Sequence, residues 1–186
     1  MAAEVAACSL CPLHGTRTNT VPGQGSPNPE IVFVGEGPGA DEDEQGLAFV
    51  GKAGHLLTRM IEAMGLTRDD VFICNIVKCR PPENRTPELS EMNACLPYLK
   101  RQIGLLQPKV VVALGATALT GLVEMPKGMG ITRARGTWLR FAGIDLMPTF
   151  HPAYLLRNPN VKKYVWEDLQ AVLRRLDKPI PEVKKR

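Results

Sequence analysis

Cys8 and Cys11 form a C-x-x-C at the start of the chain, and Cys79 and Cys95 lie far downstream. Thiolates are soft ligands that hold zinc or an iron–sulfur cluster. A ligand set drawn from the start and the middle of one chain must clip those two segments together. Four cysteines alone do not separate zinc from iron. The fifth cysteine, Cys74, sits in the apolar run VFICNIV and reads as a small buried thiol.

Other residues able to do chemistry follow or interrupt apolar runs. IVFVGEG (31–37) leads into the acidic stretch ADEDE (40–44), VFICNIV (71–77) contains Asn75, and His151 follows IDLMPTF. Gly35, Gly37 and Ala40 satisfy G-x-G-x-x-A, the dinucleotide fingerprint. That reading fails on charge: Asp41, Glu42, Asp43 and Glu44 repel a pyrophosphate, and no acid ends the second run to hold a ribose. The glycines are better suited to bringing the backbone close to a flat, neutral ligand. For the loop taken alone, a tight strand-to-helix turn with solvated acids is the alternative reading.

These residues need a frame. The runs 31–37, 71–77 and 109–115 read as buried strands. GHLLTRMIEAMG (54–65) places Leu56, Leu57, Met60, Ile61 and Met64 on one helical face, with Gly65 as its stop. Thr86-Pro87 reads as the N-cap and first position of the helix that carries Cys95, and Pro97 is expected to kink or break it. Another helix follows LGATA from Ala116, GTWLRF and IDLMPTF suggest a turn-linked strand pair, and a last helix spans about 161–176. Strands alternating with helices predict an α/β domain with a mostly parallel sheet. Ligands of such sheets sit beyond the carboxyl ends of the strands.

Composition sets the outer limits. The chain has 186 residues, 44% hydrophobic and 23% charged, with a net charge of +4. Length and hydrophobic content suit one domain with a full core, and the mild charge does not by itself assign partners. No apolar run reaches the length of a membrane span, and the N-terminus lacks a signal-peptide layout, so a cytoplasmic location is expected. No exposed heptad or edge-strand pattern asks for an oligomer, which predicts a monomer.

In combination, GEGPGADEDEQGLAFVGKAG (35–54), NIVKCRPPENRTP (75–87), LGATA (114–118) and HPAYLLRNP (151–159) resemble the family 4 uracil-DNA glycosylases, the iron–sulfur type of bacteria and archaea. The resemblance runs from Cys8 to about Trp166. It implies a single domain over 1–186, a three-layer α/β/α sandwich around a central four-stranded, mostly parallel sheet. Residues 1–29 would be a cluster-binding coil and 177–186 a basic tail. It implies a [4Fe–4S] cluster on Cys8, Cys11, Cys79 and Cys95, with structural zinc as the alternative. The activity implied is a monofunctional glycosylase that flips uracil from single- or double-stranded DNA and hydrolyses its N-glycosidic bond.

Roles follow by resemblance. Phe49 becomes the aromatic plate. Asn75 becomes the reader that donates to O4 and accepts from N3–H, the pattern of uracil and not of cytosine. His151 donates to O2, where charge accumulates as the base leaves. Gly37, where other glycosylase families keep an aspartate, joins the uracil-binding set. A carboxylate must then come from elsewhere: Glu42 orients water or steadies the cationic sugar, and Glu36 shapes the pocket. On DNA, the amides of Ala116 and Thr117 meet a phosphate. Leu155 and Leu156 form a wedge beside Arg157, while Arg80, Arg85, Arg133 and Arg135 are possible backbone contacts. Two rival readings are a catalytically silent relative that only binds damaged DNA or transfers electrons, and a covalent DNA-trapping relative. The second needs an inserted basic, histidine-containing loop, and residues 52–57 and 78–87 hold no such insertion.

The cysteine set yields a colour test. The purified protein is expected to be brown, with a broad visible absorption band; a colourless preparation with stoichiometric zinc would reject the cluster.

Overall fold

Four apolar runs become the parallel centre of a single sheet. In the computed structural model, which describes residues 1–126 and 128–182, the strands are β1 (Gln24–Gly25), β2 (Ile31–Gly35), β3 (Phe72–Asn75), β4 (Val110–Leu114), β5 (Leu139–Phe141) and β6 (Ile144–Thr149). Their order is β1-β3-β2-β4-β6-β5. The inner four, β3, β2, β4 and β6, are parallel. Short β1 and β5 add antiparallel edges. The expected four-stranded sheet is thus the centre of a six-stranded one. β5 and β6 are the predicted turn-linked pair. Lys184, Lys185 and Arg186 of the expected basic tail lie outside the described residues.

The helices are α1 (Ala2–Ala6), α2 (Ala40–Gln45), α3 (Lys52–Ala63), α4 (Leu89–Leu106), α5 (Ala116–Leu122), α6 (Ile131–Ala134), α7 (Pro152–Arg157) and α8 (Lys162–Arg175). Each central strand alternates its side chains between two cores, as period-two geometry requires. On one face Ile31, Phe33, Ile73, Val110, Val112 and Met147 pack with α3 and α8 through Leu57, Ile61, Leu169 and Leu173. On the other, Val32, Val34, Cys74, Val111, Ala113 and Leu146 pack with α4 and α5 through Leu99, Ile103 and Leu119. Fully burying each valine, leucine, isoleucine, phenylalanine or methionine among them contributes roughly 1.5–3 kcal/mol. Cys74 is fully buried, as its run implied, and burial pushes its thiol pKa up.

Three local expectations are corrected. Residues 1–29 are not a plain coil: they contain α1, a 3-10 turn at Pro12–Gly15 and β1. α4 begins at Leu89 with Glu88 as its cap, not at Thr86, because Glu91 Oε2 accepts from the Glu88 backbone N–H at 2.8 Å. Pro97 does not break α4. It sits on the exposed side, while Met92, Cys95, Leu99 and Ile103 are buried on the other. Their burial outweighs the hydrogen bond that proline removes.

Two buried carboxylates secure what the strands leave loose. Asp43 of α2 accepts from the backbone N–H groups of Thr18 (2.9 and 3.1 Å) and Asn19 (3.3 Å), fastening the N-terminal segment. Asp168 of α8 accepts from Thr149 Oγ1 (2.6 Å) and from the Arg135 fork, holding α8 against the end of β6. Among the described residues, no helix is long and apolar enough to cross a membrane. Gly35, Asn75 and His151 all fall at the carboxyl ends of the parallel strands, where a ligand of this sheet type binds.

Candidate functional site

Gly35 ends β2 directly opposite Asn75, the last residue of β3. A Cβ at Gly35 would lie 2.4 Å from Asn75 Oδ1 and 2.5 Å from Phe49 Cζ. The glycine is therefore required for space: an amide and an aromatic ring press on it from two sides. Gly37 is similar, since a Cβ there would lie 2.7 Å from Val77. The sequence suggested that these glycines admit a ligand to the backbone; what they admit is the wall of the site. Asn75 is 1% exposed, and its Oδ1 has no hydrogen-bond partner among the described residues. An orphaned buried acceptor costs about 1–3 kcal/mol, so this oxygen is set to receive a donor from a ligand. Asn75 lines a cavity of about 240 Å³ together with Phe49, His151, Glu36, Gly37 and Glu42.

Phe49 has φ +54°, a left-handed conformation that side-chain-bearing residues rarely adopt. Glu42 and Arg68 hold the loop around it. Glu42 Oε1 accepts from the backbone N–H groups of Val50 (2.9 Å) and Gly51 (2.8 Å), and Oε2 accepts from Gly39 N–H (3.0 Å). The Arg68 guanidinium donates to the carbonyls of Ala48 (2.6 Å) and Phe49 (3.1 Å). Three of the roughly four lone-pair sites of the Glu42 carboxylate are thus occupied by backbone.

His151 precedes α7 and caps it: its Nδ1 accepts from the Ala153 N–H at 3.1 Å. Burial, reinforced by the charge of Arg157, pushes its pKa down to about 4. At neutral pH the imidazole is uncharged, and with Nδ1 accepting, the proton resides on Nε2. The ring is 5.7 Å from that of Phe49, tilted by 35°. The arrangement offers a neutral N–H donor, an amide and an aromatic face around one small cavity. It can grip a flat heterocycle carrying both donors and acceptors and stabilise negative charge on it.

Cys8, Cys11, Cys79 and Cys95 line one separate cavity, so the two distant cysteine groups do converge. Arg17 donates to Cys79 Sγ at 3.1 Å and to the Cys8 carbonyl at 3.0 Å, and the Lys78 backbone N–H donates to Cys95 Sγ at 3.3 Å. Burial raises the pKa of Cys79 and pushes Cys95 up to about 11. Thiolates here need a cationic centre to compensate them, and N–H donors to sulfur are the usual outer support of such a centre. Among the described residues, no group of three or more His, Cys, Asp or Glu is placed to hold a single metal ion. An all-sulfur donor set around a cavity fits a cluster whose irons each take one thiolate. Lys78, 1% exposed, spans the two sites: its Nζ donates to the Asn75 carbonyl at 2.9 Å.

Of the expected site residues, Glu36, Gly37, Glu42, Phe49, Asn75 and His151 meet at the cavity. Leu155 does not serve as a wedge: it is 1% exposed and belongs to the core, whereas Leu156 is 43% exposed beside the exposed Arg157. Arg85 and Arg135 are not free backbone contacts. Arg85 forks onto Glu91 at 2.7 and 2.8 Å, and Arg135 pairs with buried Asp168. Arg17, Lys78 and Arg68 were missed by the sequence reading. Each acts through long-range contacts to sulfur or backbone, and only the position of Lys78 beside Cys79 carried any signal.

The profile of the uracil DNA glycosylase superfamily matches residues 22–170. A type-4 uracil-DNA glycosylase of Thermotoga maritima is 51% identical over 172 residues, covering 90% of this chain and 88% of the relative. Proteins of the same description from Sulfurisphaera tokodaii and Saccharolobus solfataricus are 49% and 46% identical, over 91% and 97% of this chain and 80% and 87% of the relatives.

The state of His151 can be read directly by nitrogen NMR of the ring. Its pKa is expected near 4, with Nδ1 unprotonated from pH 5 to 8; an ordinary value near 6.5 would contradict the buried cap. Because the folded pKa lies below the unfolded one, the unfolded chain binds more protons in that window. His151 therefore lowers stability as pH falls from about 6.5 to about 4.

Proposed function

The chain belongs to the uracil DNA glycosylase superfamily and, within it, to the type-4 uracil-DNA glycosylases, and on that footing we propose that it removes uracil from DNA by hydrolysis of the N-glycosidic bond. The observation that carries this reading is the buried Oδ1 of Asn75, without a partner among the described residues, on a side chain that lines the cavity. Uracil N3–H supplies the missing donor, and the Asn75 amide N–H donates to O4. Cytosine presents the reverse pattern at both positions and leaves the amide unsatisfied, a mismatch that costs far more than a lost contact in water. The base reaches this recess by leaving the stack, and it lies against the Phe49 ring.

As the bond between N1 and the sugar breaks, its electron pair moves onto the uracil ring and charge builds on O2. The His151 Nε2–H donates to that oxygen. A neutral imidazole fits the task, since it stabilises the developing anion without first surrendering its proton. Glu42, fixed by three backbone amides, keeps one lone-pair site for a water and places negative charge by the sugar as it becomes cationic. Glu36, at the cavity wall, shapes the entry. Among the described lining residues there is no lysine to form a Schiff base, in keeping with hydrolysis that leaves an abasic site for base-excision repair. Leu156, Arg157 and the start of α5 at Ala116 and Thr117 are the nearest candidates for DNA contact. A Cβ at Gly115 would meet the His151 Cβ at 3.0 Å, so α5 begins beside the site.

Cys8, Cys11, Cys79 and Cys95 would hold a [4Fe–4S] cluster. When bound, it would supply iron–thiolate bonds that tie the N-terminal segment to α4. Arg17 and the Lys78 backbone orient two of the sulfurs, and the Lys78 side chain links the same region to Asn75.

A labelled oligonucleotide carrying one uracil, incubated with the protein and then treated with alkali, tests the reading. Cleavage is expected only after alkali; binding without base loss, or an adduct that survives denaturant, would contradict it. His151→Ala and Asn75→Ala are each expected to slow release by at least about a hundredfold, and near wild-type rates in either would overturn the assigned roles.

A further inference from the structure

Arg68 lies in the loop between α3 and β3 and does not line the cavity. Its guanidinium nevertheless makes three hydrogen bonds, all to the segment that carries Phe49 or to the helix beneath it. One nitrogen donates to the Ala48 carbonyl (2.6 Å), and the other donates to the Phe49 carbonyl and to Thr58 Oγ1 (3.1 Å each). Thr58 in turn donates to the Gly54 carbonyl at 3.1 Å. At Gly54 a Cβ would lie 1.9 Å from the Phe49 carbonyl oxygen, so α3 is pressed directly against that peptide. Burial lowers the Arg68 pKa from its ordinary value, opposed by the charges of Asp69 and Glu42, and a guanidinium remains protonated regardless.

The need for this arrangement lies in Phe49 itself. A residue with a side chain at φ +54° is strained and persists only where its surroundings over-determine it. Glu42 fixes the amides of Val50 and Gly51, which follow Phe49. Arg68 fixes the carbonyls of Ala48 and Phe49. Together they pin four consecutive residues, and the ring ends with its tip against Gly35 and beside Asn75. Glu42 faces the cavity, whereas Arg68 grips the segment from outside it.

We infer that Arg68 is a positioning residue for base recognition: its fork holds Phe49 in the left-handed conformation that lays the ring over the base site. The inference rests on the uracil reading above. Without the fork, the Phe49 peptide relaxes, the ring leaves its place against Gly35, and the base site loses one wall while Asn75 and His151 stay in position.

A double-mutant cycle on uracil release separates this role from a merely structural one. In single-turnover assays, normalised to the folded fraction, Arg68→Met is expected to lower kcat/KM by about tenfold to a hundredfold, given that each hydrogen bond from a charged donor contributes roughly 1.5–3 kcal/mol. In a Phe49→Ala background the same change should matter less than about threefold, because no ring remains to be placed. Arg68→Lys keeps the charge but not the fork, and should fall between wild type and Arg68→Met, so the cycle can be closed if the methionine variant folds poorly. Equal losses in both backgrounds, or an Arg68→Met enzyme with wild-type kcat/KM, would overturn the inference. A wild-type protein that releases no uracil would instead remove the functional reading on which it stands.

Discussion

The site is organised around an atom that is missing. At Gly35 the sheet brings β2 and β3 into register so that the glycine faces Asn75, and the loop after α2 lays Phe49 over the same point. Any side chain at Gly35 would occupy the space of the Asn75 amide oxygen and the Phe49 ring tip together. Sterics, not backbone conformation, require the glycine, and Asn75 and Phe49, the two groups proposed to touch the base, are set by one packing contact. This is the sheet end at which doubly wound folds bind their ligands, and the proposed occupant here is a flat base instead of a phosphate.

The rest of the molecule keeps that contact closed. Glu42 and Arg68 fasten the Phe49 loop through its amides and carbonyls. On the other side, Lys78 reaches from the cysteine cavity to the Asn75 carbonyl. Four cysteines, from the N-terminal segment, the exit of β3 and α4, line one cavity, and Asp43 fastens the same N-terminal segment to α2. Two acids of the stretch after β2 serve as internal bracing, since Glu42 and Asp43 both accept from backbone amides.

Much of this frame was legible because its signals are local. Apolar runs of five to seven residues became β2, β3 and β4, and the spacing of Leu56, Leu57, Met60 and Ile61 became the buried face of α3. The cysteines, Asn75, Phe49 and His151 were legible through motifs whose chemistry is specific. What stayed hidden depends on contacts between distant segments. Nothing around Pro97 announced that buried Met92, Cys95, Leu99 and Ile103 would carry α4 past it. Leu155 and Leu156 look alike in sequence, and only the helical phase of α7 sends one into the core and the other outward. Arg85 and Arg135 carry the charge that DNA attracts, yet buried carboxylates claim both.

The most direct test adds the missing atom. Gly35→Ala should fold, judged by a cooperative thermal transition, because the new methyl meets side chains and leaves the ladder of β2 and β3 intact. Its kcat/KM for uracil release, measured per folded molecule, is predicted to fall by about a hundredfold, the order of loss expected when reacting groups shift by about 1 Å. A folded Gly35→Ala protein that releases uracil at the wild-type rate would contradict the account.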